Sequence, residues 1–304
     1  MWISNPLTNG LFLPLASTLS CLLSVGLLGV LAGRHLTIDT ELQKQLILRW
    51  FSWLAISIIG LSCALAGPIA FAALTGLVAL VGTWEYCKIS RQNREASIVL
   101  YLFALAMPMV TLLRASFITP AVFLGFVLLA LVSLFKAEKF DQMALSILGI
   151  FYVPFLASHM VALYSASSGG VALVLSVIAS SALANIMAFV FGKVLKGPKL
   201  ASAISPNKTL WGALGSIFGA YLGFMALSAA GSLSLSTASM VLIPLTVALS
   251  GILGDLFESS LKRYFQVKDA GVWLPGFGGA LDRIDGLLFV IPSVYYLTRL
   301  LSGV

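Results

Sequence analysis

Uncharged, largely apolar stretches such as Leu11 to Gly33 and Val171 to Gly192 recur along this chain. Each is long enough to cross the hydrocarbon core of a bilayer as a helix, which takes about 20 residues. A chain built from such stretches folds in lipid, where only helices and closed barrels satisfy their own backbone hydrogen bonds. A transmembrane barrel would show alternating segments about ten residues long, whereas these stretches are continuously apolar. The expected fold is therefore all-α, a polytopic transmembrane helical bundle. Composition agrees: 60% of the 304 residues are hydrophobic and 10% charged, against about a quarter charged in soluble domains, which excludes water-soluble enzyme folds.

Apolar runs set against their polar breaks predict ten helices, at 11–33, 51–66, 68–84, 98–113, 119–135, 143–166, 170–192, 210–230, 237–257 and 286–302. The second and third are split by Gly67-Pro68, a proline able to open a new helix after a tight turn. Thr40 to Trp50, with Leu42, Leu46 and Ile47 on one face, reads as an interfacial helix. The first run has no basic region before it and is too long for a signal-peptide core, so it is kept as a span. Cys21, Cys63 and Cys87 lie in or beside apolar stretches without metal-site or disulfide spacing and read as packing residues. Residues 1–166 are expected to be scaffold and 167–304 to carry the chemistry, within one integral-membrane unit.

Charge orients the bundle. With the N-terminus outside, every basic residue of the 18 except Arg114 and Arg299 falls on the cytoplasmic side, as the positive-inside rule requires. The net charge of +7 then faces anionic headgroups and needs no nucleic acid. All eleven acidic residues fall on the same side. Asp255, Glu258, Asp269, Asp282 and Asp285 crowd the C-terminal third, while the outer connections are short and uncharged. The working surface is expected to be cytoplasmic, in a membrane taken to be the bacterial inner membrane.

At the end of the ninth predicted helix, Asp255, Glu258, Ser259 and Lys262 share one face. An ordinary i,i+4 pair of Glu258 with Lys262 on a solvated helix end is the alternative. The next connection holds Lys268, Asp269, Pro275, Gly276, Gly278 and Gly279, a composition that lets backbone approach a ligand. Asp282 and Asp285 follow, one turn apart at a helix start. Hard cations such as Mg²⁺ take carboxylate oxygens and keep waters or substrate phosphates elsewhere in their shell, which makes Asp255 and Asp282 a candidate ligand pair. Lys262, Arg263 and Arg283 are then placed for phosphate oxygens. Upstream, Ser205, Lys208 and Thr209 read as a helix start offering a hydroxyl, a cation and free N–H groups, or as an ordinary capped helix.

Asp255-x-x-Glu258-Ser259-x-x-Lys262-Arg263, Lys268-Asp269 and Pro275-Gly276-x-Gly278-Gly279-x-x-Asp282-Arg283-x-Asp285 together resemble the signature of the phosphatidate cytidylyltransferases, the CDP-diacylglycerol synthases. Ser205-Pro206-x-Lys208-Thr209 is similar to the second motif of that family, and the close resemblance covers 185–285. It implies attack by phosphatidate or a related lipid phosphate on the α-phosphorus of CTP, giving a CDP-lipid and pyrophosphate. It also implies Mg²⁺, as two divalent ions or one divalent plus one monovalent, and allows a homodimer. Carried over by position, Asp255 and Asp282 bind metal. Lys208, Lys262, Arg263, Asp269, Arg283 and Asp285 serve catalysis, and Ser205, Thr209, Glu258, Ser259, Lys268, Gly278 and Gly279 bind substrate. Trp84-Glu85-Tyr86 is the fragment of the first half that shares the likeness.

Three positions depart from the pattern: Phe277 replaces a histidine, Asn185 an aspartate and Trp211 a glutamate. They motivate a rival reading as a non-catalytic relative that binds lipid or nucleotide. A second rival, an ion-coupled transporter, needs carboxylates in mid-bilayer, whereas these sit at helix ends and loops. Asn185 itself reads as a helix–helix contact, and His159 as a packed, hydrogen-bonded residue.

Overall fold

The structure, a computed structural model, describes residues 4–32, 40–166, 169–271 and 278–302. Phe277, Pro275, Gly276 and the Ser167 connection lie outside the described residues. Eleven helical segments follow one another: α1 (Phe12–Ala32), α2 (Thr40–Ala66), α3 (Pro68–Ile89), α4 (Arg94–Leu113), α5 (Ile118–Phe135), α6 (Phe140–Ile150), α7 (Leu156–Ser165), α8 (Gly170–Leu195), α9 (Leu210–Ala230), α10 (Thr237–Tyr264) and α11 (Leu281–Ser302). Because α6 and α7 run on through a π-helical turn at Phe151–Phe155 around Pro154, the described residues hold ten helices long and apolar enough to cross a membrane. The protein is an integral membrane helical bundle, as the apolar runs predict.

Gly67 separates α2 from α3 with φ of +123°, a conformation that glycine alone adopts readily, and Pro68 opens α3. The interfacial helix expected at Thr40 to Trp50 is corrected: these residues are continuous with α2. The Trp50 indole N–H donates to the Leu23 carbonyl of α1 at 2.8 Å, so this stretch is held against a neighbouring helix. Two further helices start earlier than their apolar cores suggest, α4 at Arg94 and α11 at Leu281. Charged first turns are invisible to a hydropathy window yet helical all the same.

Small residues set the helix spacing. A Cβ on Gly223 would lie 2.6 Å from the Ala179 carbonyl oxygen, and one on Gly215 2.5 Å from that of Met187, so α8 and α9 touch backbone to backbone. The same device brings α10 and α11 together, where a Cβ on Gly254 would meet the Asp285 carbonyl oxygen at 2.6 Å and Gly286 Cα at 2.9 Å. Asn185, expected as a helix–helix contact, is exposed on α8. His159 is buried, with Nδ1 2.9 Å from the Phe155 carbonyl and Nε2 3.2 Å from the Tyr296 hydroxyl.

Between α8 and α9 the chain forms an antiparallel hairpin of β1 (Lys199–Ala201) and β2 (Ser205–Thr209). The helix start expected for Ser205, Lys208 and Thr209 is thus corrected: Ser205 and Lys208 lie on a strand, and Thr209 caps α9 by accepting from Gly212 N–H at 3.1 Å. A threonine hydroxyl that satisfies one of the four free N–H groups of a helix start supports the helix.

Candidate active site

At one end of the bundle, the last turns of α3 and α10, the first turn of α11 and strand β2 meet. Close passage of α10 against α11 at Gly254 and Gly286 leaves the two carboxylate-bearing turns side by side, with Asp255 Oδ1 3.1 Å from the position a Gly286 Cβ would take. Lys262 is the hub. Its Nζ donates to Glu258 Oε2 at 2.7 Å and to Asp282 Oδ1 at 2.6 Å. The i,i+4 pair legible in the sequence therefore exists, but the Glu258 side chain is only 2% exposed and that of Lys262 15%, far from a solvated helix end. A second lysine, Lys208 on β2, reaches Asp255 Oδ2 at 3.1 Å and ties the hairpin to α10.

Asp282 is saturated on one oxygen: Oδ2 accepts from Gly279 N–H at 2.8 Å and Ala270 N–H at 3.0 Å. Gly278 sits at φ of +88°, a conformation that strains any residue with a side chain, and a Cβ there would lie 3.1 Å from the same oxygen. The buried carboxyl of Asp285 accepts from Gly286 N–H at 2.8 Å and lies within hydrogen-bonding reach of Glu258. Glu258 Oε1 is buried with no donor of its own. Two ionised carboxylates facing each other, each an acceptor, are an arrangement that a proton or a cation relieves.

Within this linked group Lys208 pairs with Asp255, and Lys262 with Glu258 and Asp282, while Asp285 lies against Glu258. Among the described residues no three acidic, histidine or cysteine side chains already form a metal cage. That is compatible with Mg²⁺, which takes one or two protein carboxylates and completes its shell with waters and substrate phosphates. The all-oxygen donor set, with the orphaned Glu258 Oε1 beside it, fits a hard cation. Arg263, Lys268, Asp269 and Arg283 are exposed at the rim, Ser205 and Ser259 half-buried.

Two residues outside the expected set belong to this neighbourhood. Tyr152, from the π-helical turn, packs its ring 5.0 Å from that of Phe257 and buries a hydroxyl without a partner. Glu85 is fully buried and accepts from Ala280 N–H at 3.0 Å and Leu281 N–H at 2.6 Å, so a side chain of α3 caps α11. The available signals for Glu85 were its place in Trp84-Glu85-Tyr86, which shares the family likeness, and its standing as a lone glutamate at the end of an apolar run.

The model of the cytidylyltransferase family matches residues 47–301, which takes in all of these side chains. The chain belongs to the cytidylyltransferase family. Among proteins of known function, it is 36% identical over 173 residues to the phosphatidate cytidylyltransferase of Thermotoga maritima, covering 55% of this chain and 63% of that one. Over 115 residues it is 44% identical to the Bacillus subtilis enzyme of the same name, 38% of this chain and 43% of the relative. Over 158 residues it is 34% identical to that of Staphylococcus epidermidis, 52% and 58% respectively. The matches thus span about half of the relatives' own lengths. Within the family fold, the lysine–carboxylate cluster is where the two motifs separated in sequence come together, through Lys208 and Asp255.

Proposed function

We propose that this protein transfers CMP from CTP to phosphatidate or a related lipid phosphate, releasing pyrophosphate and forming a CDP-lipid. The observation that carries the reading is the convergence of Lys208, Asp255, Glu258, Lys262, Asp282 and Asp285 at one end of a membrane bundle, within the span that matches the family. Such a position serves a lipid that stays in the bilayer and a nucleotide that arrives from water.

In the reaction an oxygen of the lipid phosphate attacks the α-phosphorus, and the bond from that phosphorus to the bridging oxygen of pyrophosphate breaks. Phosphoryl chemistry of this kind is accelerated chiefly by positioning and charge neutralisation. Lys208 and Lys262 hold cationic ammonium groups at fixed positions, and Arg263 and Arg283, both exposed, are assigned to the β- and γ-phosphates by their place in the motif. Backbone N–H groups contribute less than a glycine-rich connection suggests, because those of Ala270, Gly279, Ala280 and Leu281 are taken by Asp282 and Glu85. Mg²⁺, held by Asp255 and the remaining lone pairs of Asp282 with Asp285 alongside, would polarise the phosphate oxygens and offset their charge. The all-oxygen donor set and the buried, unpartnered Glu258 Oε1 support that assignment. The basic residues gathered at this end support an orientation that places it in the cytoplasm, and we assign the protein to the inner membrane.

The test is product analysis. Purified protein with CTP, Mg²⁺ and a panel of lipid phosphates is expected to yield the CDP-form of at least one of them. Nucleotide binding without any CDP-lipid would favour the non-catalytic rival that Asn185, Trp211 and Phe277 motivate.

A further inference from the structure

Glu85 is buried completely, though it carries a carboxylate and sits at the end of a membrane helix. Burying a carboxylate requires strong compensation, and here it comes from a site residue's own helix. Glu85 Oε1 and Oε2 each accept one N–H of the α11 start, from Ala280 at 3.0 Å and Leu281 at 2.6 Å, the residues immediately before Asp282. The helix start bears partial positive charge, so the anion is favoured there twice, by hydrogen bond and by dipole.

Contacts on the other side show how tightly the carboxylate is seated. A Cβ on Gly279 would fall 2.6 Å from Glu85 Oε2 and 2.7 Å from Gly271 N, and a Cβ on Gly271 would overlap Glu85 Oε1. One carboxylate therefore meets Gly271 and Gly279, whose backbones lie against each other; Gly271 directly follows Ala270, which donates to Asp282, and Gly279 donates to Asp282 itself. Nothing else among the described side chains bonds to Ala280 and Leu281 N–H.

We propose that Glu85 is a positioning residue of this site: it fixes the first turn of α11 and the Ala270–Gly271 backbone on one carboxylate, and thereby holds Asp282 in reach of Lys262. This deepens the cytidylyltransferase reading and rests on it for the catalytic consequence. The role belongs to α3, in the half of the chain whose other residues read as scaffold. Glu85 touches no substrate in this account and acts through Asp282.

Glutamine separates acceptor chemistry from packing. Glu85→Gln keeps volume and reach, but its amide NH₂ must face one of two N–H donors, whereas Glu85→Asp keeps charge and loses reach. Two readouts on full-length protein in detergent or lipid nanodiscs decide the matter. Hydrogen exchange over 278–284 should quicken about tenfold or more in Glu85→Gln, as expected for a lost charge-assisted hydrogen bond, while α8 and α9 stay as protected as in wild type. In CDP-lipid formation kcat should fall about 10²-fold with KM for the lipid phosphate within threefold, the pattern of a displaced reacting group. Gly271→Ala, which pushes against the same carboxylate from the opposite side, should reproduce both effects and serves if Glu85→Gln does not fold. A Glu85→Gln protein with wild-type kcat overturns the positioning role, and so does a fall in kcat without local loss of protection. Loosened exchange across all helices, with kcat and KM moving together, overturns it in favour of a packing role. Wild-type turnover is the control: a silent wild type counts against the cytidylyltransferase reading, and the exchange data alone then decide whether Glu85 holds the helix start.

Discussion

Replacing Asp282 by asparagine asks more of this site than the removal of one charge. Oδ1 receives the Lys262 ammonium at 2.6 Å and Oδ2 receives two backbone N–H groups. An amide has one carbonyl oxygen, so whichever way it turns its NH₂ faces a donor. Removing one partner of a buried ion pair costs about 3–5 kcal/mol, and because Lys262 keeps Glu258 at 2.7 Å the lower end, about 3 kcal/mol, applies. If that loss is felt fully in the transition state, kcat/KM falls by about 10²-fold, before any contribution from a weakened metal site. The assay is pyrophosphate release with CTP and phosphatidate, run on Asp282→Asn, Lys262→Met and the double variant. Residues that act as a unit should not add: the double variant should lose little more than the worse single one. An Asp282→Asn protein within threefold of wild type, or strictly additive losses, would refute the coupled geometry.

Further outcomes follow from the same structure. Asp255→Asn should abolish Mg²⁺-dependent turnover, since an amide oxygen is a poor substitute for a carboxylate on a hard cation, and a chelator should silence wild type until Mg²⁺ is restored; near-normal rates at low Mg²⁺ would remove Asp255 from the ligand set. Gly223→Leu forces a side chain into the Ala179 backbone and should lower stability by about 1–3 kcal/mol or more, read as a reduced thermal midpoint and monodisperse yield; an unchanged midpoint would contradict the close packing of α8 on α9. With Cys21, Cys63 and Cys87 replaced, single cysteines at Lys196 and Lys268 should be labelled from the cytoplasmic side only, and external labelling at 268 would reverse the orientation.

The spans were legible because bilayer burial demands long apolar runs, and nothing shorter competes with that signal. Helix ends were less so: Thr40 to Trp50 looks amphipathic by itself, and the bond from the Trp50 indole to the Leu23 carbonyl holds its end against α1. The hairpin at Lys199–Ala201 and Ser205–Thr209 gave no period to read, since strands of three and five residues carry too few alternations. Within the site, the i,i+4 spacing revealed Glu258 and Lys262, but not their burial or the third partner, Asp282, contributed by another helix. The role of Glu85 was least legible of all, although Trp84-Glu85-Tyr86 shares the family likeness. Its partners are 195 and 196 residues away, and a single acid near the basic end of α3 looks, by position, like an ordinary solvated helix terminus.

The central claim is that this cluster transfers a cytidylyl group to a lipid. Purified protein supplied with CTP labelled at the α-phosphorus, phosphatidate and Mg²⁺ tests it most directly, by following the label and the pyrophosphate together. The account predicts label in the lipid fraction as a CDP-lipid, one pyrophosphate per labelled lipid, and neither product from Asp255→Asn. Pyrophosphate without labelled lipid, or no turnover with any lipid phosphate under conditions where nucleotide binds, would contradict it.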